Sequence, residues 1–159
     1  MSIYLGDAIN ALLAAFQGST ALSGVTISLD VPSAINESQF VIVGHDGSLE
    51  PDGSLSPITE AGAFTTKFAY TGNPPGQQED GTVNCVAVCQ TGDATLLAAQ
   101  ITAVEAVLTA CSAAASDLLT SGGIQFETVQ GAHLWTRQAG AGCAAEIAFT
   151  ITYSAPFGG

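Results

Sequence analysis

Apolar residues recur at helical spacing in two segments of the chain. Residues 3–17 repeat them at steps of three and four and are followed by Gly18, which predicts a short helix. Residues 94–119 keep the same periodicity over a longer stretch, with Asp93 as an N-cap and a Gly-Gly pair after the last turn. At 1.5 Å per residue this second helix is about 39 Å long, enough to cross a small sheet.

Alternating or β-branched apolar runs predict strands in the rest of the chain. The predicted strands are 25–30, 39–44, 63–72, 82–90, 123–138 and 143–155, where 39–44 is buried on both faces and 123–138 is two extended segments or one long bent strand. In the last strand, Ile147, Phe149, Ile151 and Tyr153 form an apolar face opposite a polar one that includes Glu146. We therefore predict an α+β fold with a mixed or antiparallel sheet packed against one short and one long helix. The order is α-β-β-(loop)-β-β-α-β-β, in a single domain over residues 1–159.

Turn-forming residues are concentrated in two acidic segments. Residues 45–60 contain two Asp-Gly pairs and two prolines, and residues 73–81 contain Pro74-Pro75 and several glycines. Both segments are predicted to be loops, the first of them exposed and mobile. Because they flank one predicted strand, region 45–81 is expected to form a flap or arm.

The charge balance excludes one class of function. The chain has 14 acids and only two strong bases, Lys67 and Arg137, which gives a formal net charge of −12. Without a basic patch to neutralise phosphates, nucleic-acid binding is not expected as a main activity. Polar residues, Glu105 among them, interrupt the apolar stretch 94–119, so it is interpreted as an amphipathic helix and no membrane is expected. The N-terminus shows no secretory signal pattern.

The four cysteines are interpreted as buried apolar residues in a reducing compartment. Cys85 and Cys89 share one face of a strand but lie about 13 Å apart along it, too far for a disulfide or a common metal. Cys111 falls on the apolar face of the long helix, and Cys143 begins the last strand. No cofactor is expected.

Two groups of residues in the acidic segment are candidates for a catalytic or metal site. His45 next to Asp46 could be an oriented base, but no nucleophile motif accompanies the pair and no catalytic residue is predicted. Asp46, Glu50 and Asp52 could bind a divalent cation, yet their spacing lacks the ligand register of an EF-hand loop. A solvated acidic loop is the favoured interpretation, and no metal site is predicted.

Three surfaces are candidates for protein–protein contacts. His133, Trp135 and Arg137 share one strand face, which is either a partly buried edge with Arg137 paired to a carboxylate or a contact surface, since Trp and Arg are enriched in hot spots. The outer face of the long helix is poor in charge, as is the Thr/Ser face of the last strand. The candidate residues on these two faces are Ala99, Ala106, Thr150 and Thr152.

The chain resembles the tail terminator proteins of long-tailed bacteriophages and related gene-transfer particles. The resemblance rests on ALLAAFQGSTALSG at the end of the first helix, on the QFVIVG strand, and on the acidic loop with the long helix after it. It rests most on the closing segment GAHLWTRQAGAGCAAEIAFTITYSAPF. It covers most of the chain, and the family has no catalytic residues to carry over.

The resemblance implies a structural virion protein made in the host cytoplasm and located at the tail–neck junction. Six copies would form a ring on the head-proximal end of the tail tube, stop its polymerisation and bind the head connector proteins. DNA would cross the lumen without specific binding. The alternatives are another neck or head–tail adaptor protein, the tail tube subunit, or, more distantly, a metal- or ligand-binding module that uses the acidic loop.

Overall fold

The computed structural model describes residues 3–30, 38–51, 54–69, 76–118, 120–121, 123–140 and 142–156. Both predicted helices are present. Helix α1 spans Leu5–Gln17 and helix α2 spans Leu97–Leu118, each next to a 3-10 turn, Thr20–Leu22 after α1 and Ala94–Leu96 before α2. The predicted N-cap is confirmed, because the Asp93 carboxylate accepts a hydrogen bond from the Thr95 amide at 2.9 Å.

Within the described residues, seven strands form one mixed sheet. They are β1 Thr26–Ser28, β2 Gln39–Val43, β3 Gly62–Ala69, β4 Gly76–Thr91, β5 Thr120–Ser121, β6 Ile124–Ala139 and β7 Gly142–Pro156. Their order is β1-β2-β4-β7-β6-β5, with β3 also paired to β4, and of these strand pairs only β1–β2 is parallel. The predicted α+β class is therefore confirmed.

The two sides of the sheet are covered differently. On the side that we call the helix side, α1 and α2 pack on alternate residues of the two central strands, β4 and β7. The core there includes Phe16, Cys85, Cys111, Phe149 and Ile151, each at most 1% exposed. A smaller cluster, Phe40, Ile42, Leu55, Val86 and Val88, lies on the opposite side, which we call the loop side because Leu55 of segment 44–61 covers it.

The expectation that residues 45–60 are exposed is wrong for some of the described residues. His45 is fully buried, and Leu55 and Ser56 are 6% and 8% exposed. Gly47 adopts φ +83°, and a Cβ there would lie 2.9 Å from the Cβ of Ala148, so the backbone touches the sheet directly. This part of the segment packs on the sheet because it supplies Leu55 to the second cluster.

The second predicted loop, residues 73–81, is also partly wrong. Residues 76–81 are the first part of β4, paired with β3 throughout and with β7 on the other side from Gln78 onward. Gly81 lies opposite Tyr153, and a Cβ at Gly81 would come within 2.5 Å of the Tyr153 ring. This glycine therefore makes room for a side chain in the strand interior instead of ending the strand. Residues 73–75 lie outside the described residues.

The segment predicted over residues 123–138 is the single long strand β6, Ile124–Ala139, and its pairing with β7 is irregular at two points. The register to β7 shifts between Phe126 and Val129 and again between Val129 and Gly131. From Gly131 to Ala139 the pairing with β7 is regular, and Gly140 lies in the turn that leads into β7.

Candidate functional site

The aromatic and cationic stripe of β6 lies on the loop side of the sheet. His133, Trp135 and Arg137 pair with Ala148, Glu146 and Ala144 of β7 in register. The rings of His133 and Trp135 are stacked, with centroids 6.0 Å apart and planes 29° from parallel. Trp135 remains 43% exposed although Gly47 lies against it.

Arg137 forms an ion pair with a buried carboxylate. Its Nη2 donates to Glu146 Oε1 at 2.7 Å, and the side chains of Arg137 and Glu146 are 41% and 2% exposed. Both interpretations of the stripe have support, because Arg137 is paired to a carboxylate while Trp135 and His133 stay accessible. The sequence placed Glu146 on a polar face, but segment 44–61 covers this end of that face.

Burial dominates the electrostatics of Glu146. Desolvation raises the pKa of its carboxyl, and the nearby charge and hydrogen bond of Arg137 lower it without cancelling the effect. Its Oε2 is buried and has no hydrogen-bond partner among the described residues. A buried acceptor without a hydrogen-bond partner destabilises a fold, so the ionised Glu146 carboxylate lowers the free energy of unfolding.

His45 is a structural residue in this arrangement. Its Nδ1 accepts a hydrogen bond from the Gly47 amide at 2.9 Å, and its Nε2 lies 2.8 Å from the carbonyl oxygen of Ser56. An Nδ1 that accepts requires the hydrogen on Nε2, so the ring is neutral and donates to Ser56. With both nitrogens engaged and no exposed surface, the imidazole has no access to a substrate.

The acidic residues of the segment serve its own folding. The Asp46 carboxylate accepts from the Ser48 amide and hydroxyl, the Thr59 hydroxyl and the Glu60 amide. Desolvation raises the pKa of Asp46, but these hydrogen bonds outweigh it and hold the pKa well below its usual range. Glu50 Oε1 accepts from the Ser56 hydroxyl at 3.1 Å.

No metal site is visible at this segment. The described part of the chain contains no cluster of three or more His, Cys, Asp or Glu side chains that could hold a metal ion. Asp52, the third acid of the sequence-based set, lies outside the described residues.

The outer face of α2 lies on the other side of the molecule. Its exposed residues are four alanines, two threonines, Glu105 and Asp117, and the alanines include Ala99 and Ala106. By length and composition alone this helix could cross a membrane, with 22 residues and a mean hydropathy of 1.5. Mostly buried core helices share these properties; in α2, 17% of the apolar window is buried, and Val104 and Cys111 are among its buried residues.

The seven predicted contact residues therefore fall on two surfaces. Ala99 and Ala106 lie on the outer face of α2, and the other five lie on the loop side of the sheet. His133, Trp135 and Thr150 line one cleft of about 180 Å³, together with Asp46 and Asn84. Thr152 lies further along β7, where its hydroxyl donates to Glu127 Oε2 at 2.9 Å.

A buried carboxylate that the sequence did not reveal ties α1 to the sheet. Glu79 is fully buried on β4, where Tyr153 donates to its Oε2 at 2.5 Å and the Tyr4 amide donates to both oxygens at 3.1 Å. Because Tyr4 is the N-cap residue of α1, the carboxylate also lies at the positive end of that helix. Burial raises the pKa of Tyr153, as does the hydrogen bond to Glu79. The sequence predicts a loop over residues 73–81, so it gives no sign that Glu79 is buried within a strand.

The cysteines are buried and free, as expected from the sequence. Burial raises the pKa of Cys89 to about 11 and that of Cys111 to about 12, so both remain protonated thiols at neutral pH. They contribute to the core as small apolar side chains.

Comparisons with known proteins give matches among solved structures. No protein-family model matches the sequence. No curated protein matches it. Among solved structures, the chain is similar to a chain of the virion of a native gene transfer agent particle, with 16% identity, a TM-score of 0.48 and coverage of 96% of this chain and 99% of that chain. A TM-score and an identity this low assign neither fold nor function to this chain.

Proposed function

We propose that this chain is a structural virion protein that forms a ring of six copies at the head-proximal end of a phage-like tail tube. The ring stops tube polymerisation and joins the tail to the head connector proteins. The sequence resemblance supplies this assignment. It is a proposal for a protein without catalysis, whose partners are further copies of itself, the tube protein and the connector.

The observation that carries the proposal is the distribution of charge over the surface. The chain has a net charge of −12, and six of the eight exposed residues on the outer face of α2 are uncharged alanine or threonine, the other two being Glu105 and Asp117. Copies with this charge repel one another, so close packing is favoured through small uncharged side chains. The alanines and threonines of this helix face are such side chains, and Ala99 and Ala106 are among them.

The polar groups of the structure support a role in assembly over one in chemistry. His45, Asp46 and Glu79 are each engaged in hydrogen bonds within the fold. A reaction would need an acid, a base and a nucleophile that converge on an open site. In the ring, an acidic and base-poor subunit also suits a lumen through which DNA passes without being held.

The proposal is tested by electron microscopy of the tailed particles, with the protein gold-labelled through a C-terminal tag and untagged particles as the control. We expect one label site between head and tail. Label along the tail would identify a tube subunit instead, and particles without label would reject a virion role.

A further inference from the structure

The sheet has two long edges that no strand covers within the described part of the chain, besides the short edge strands β1 and β5 of three and two residues. One is the outer edge of β3, Gly62–Ala69, and the other is the outer edge of β6 beyond its short pairing with β5 at Ile124 and Gln125. Each edge presents a row of backbone N–H and C=O groups, which can be satisfied by another strand. Natural proteins rarely leave such an edge long and regular unless something pairs with it.

The two edges match in length. The regular part of β6, from Gly131 to Ala139, is about 30 Å long, and the eight residues of β3 extend about 26 Å. Neither stretch contains a proline, which would remove a ladder hydrogen bond.

The two edge stretches also lack acids, as do the short strands β1, β2 and β5, although β6 as a whole contains Glu127. Neither Gly62–Ala69 nor Gly131–Ala139 contains an acid, although the chain has 14. The only two strong bases lie one on each edge, Lys67 on β3 and Arg137 on β6. A second copy at −12 can approach these edges with less repulsion than any acidic part of the surface.

Both edges also expose a large apolar side chain on the helix side. Leu134 of β6 is 46% exposed and pairs in register with Ile147, and Phe64 of β3 is 39% exposed and pairs in register with Gly81. In a sheet that continued from one copy to the next, side chains on the same face of adjoining strands would pack against each other.

We propose that copies of this chain join edge to edge, with β6 of one copy pairing with β3 of the next, so that one sheet continues through the assembly. The contact is heterologous, because the two edges differ, and a heterologous contact closes into a ring when its rotation allows. This inference rests on the self-association in the proposed function and adds the sheet edges to the outer face of α2 as a second contact surface between copies.

The test compares two double variants that differ at one residue. Leu134→Glu with Phe64→Glu places like charges on both edges, whereas Leu134→Glu with Phe64→Lys places opposite charges there. Both lose the same apolar contacts. Within one copy the two edges are three strand spacings apart, about 14 Å, beyond the Debye length of about 8 Å at physiological salt. A difference in assembly must therefore arise between copies.

Assembly of the purified full chain is measured by sedimentation velocity over a range of concentrations, with circular dichroism as the folding check. We expect the Glu/Lys variant to assemble about fivefold or more tightly than the Glu/Glu variant, the effect of about one favourable cross-strand charge pair. A second pair of variants, Thr20→Glu and Thr20→Lys, each combined with Leu134→Glu, controls for net charge. Thr20 is exposed, and we expect the assembly affinity to differ less within this pair. Hydrogen exchange of the assembled wild type should show protected amides in both edge strands.

Equal assembly of the two double variants, or edge amides that exchange as fast in the assembly as in the monomer, would overturn the inference. So would a wild-type chain that stays monomeric at about 100 μM, a concentration that a μM contact would saturate. Gold label between head and tail together with any of these results would retain the proposed function and reject only the edge contact. Edge pairing in solution without label on the particles would retain the edge contact and reject the proposed function.

Discussion

The ion pair between Arg137 and Glu146 allows a quantitative test of how this fold tolerates a buried carboxylate. Arg137→Met removes the cation bonded to Glu146 Oε1 and leaves a side chain that is 2% exposed with a charge to bury. Breaking a fully buried pair costs roughly 3–5 kcal/mol. Arg137 is 41% exposed, so solvent already screens part of the pair, and we expect a loss of about 1–3 kcal/mol at pH 8.

Glu146→Gln should behave in the opposite way. It removes a carboxylate whose pKa burial has raised and whose Oε2 has no described partner. We expect the free energy of unfolding to change by no more than about 1 kcal/mol, because the neutral amide has no charge to bury and Arg137 is 41% exposed to solvent. The double variant should recover most of the loss caused by Arg137→Met. Urea denaturation of the four proteins gives the coupling energy.

The pH dependence separates charge from packing. The folded pKa of Glu146 lies above its unfolded value of about 4.3, and in Arg137→Met it should rise further. The stabilising effect of protonation is therefore complete below the unfolded pKa and is lost as the pH rises through the folded pKa. The deficit of Arg137→Met should shrink between pH 8 and pH 5. An equal deficit at both pH values, or no recovery in the double variant, would show that Arg137 acts through packing and refute the reasoning.

Three further predictions concern other parts of the molecule. Ala106→Glu adds a charge to the outer face of α2 and should block assembly while the monomer stays folded, so unchanged sedimentation would argue against this face as a contact. Gly81→Ala should lower stability by about 1–3 kcal/mol in thermal unfolding because its Cβ would clash with the Tyr153 ring, whereas Gly24→Ala, with no atom within 4 Å of the added Cβ, should change little. The stability that ionised Asp46 provides, through a folded pKa below its unfolded value, is present above the unfolded value of about 3.9 and should be lost as the pH falls through the folded pKa. Asp46→Asn should therefore be less stable than wild type at pH 7, and its deficit should narrow under acid.

Local periodicity predicted the elements that have one buried face. Helices α1 and α2 and strand β7 appear within a few residues of their predicted limits, since their apolar spacing reflects the side that packs on the core. Strand β2, which is buried on both faces, was indicated by an unbroken apolar run instead. The predicted apolar face of β7, from Ile147 to Tyr153, is buried on the helix side as expected.

The errors occur where distant segments determine local structure. Residues 76–81 have the composition of a loop, yet pairing with β3 and β7 makes them a strand. Gly81 leaves space for the ring of Tyr153, which lies 72 positions later in the chain. Turn residues correctly predicted irregular backbone after His45 but could not reveal that it packs on the sheet. The apolar Leu49 and Leu55, which form an isolated bridge inside that segment, were the available signal.

The sequence indicated which residues are candidate contacts but not the surfaces on which they lie. Composition indicated that Ala99, Ala106 and the Trp135 stripe are unusual in an acidic chain. Their division between two opposite surfaces depends on which face of each strand meets the helices, and this follows from the register of the assembled sheet. The burial of Glu146 has the same origin, because segment 44–61 reaches it only in the folded chain.

The contact between Gly47 and Trp135 makes the chain its own fluorescent reporter. Trp135 is the only tryptophan, and Gly47 lies against its indole ring at the point where segment 44–61 meets the sheet. Undocking of the segment would admit water to the ring face, so the emission maximum should shift to longer wavelength before the far-ultraviolet signal of the helices is lost. Local opening and global unfolding of the native sequence could then be followed in one cuvette without any attached dye.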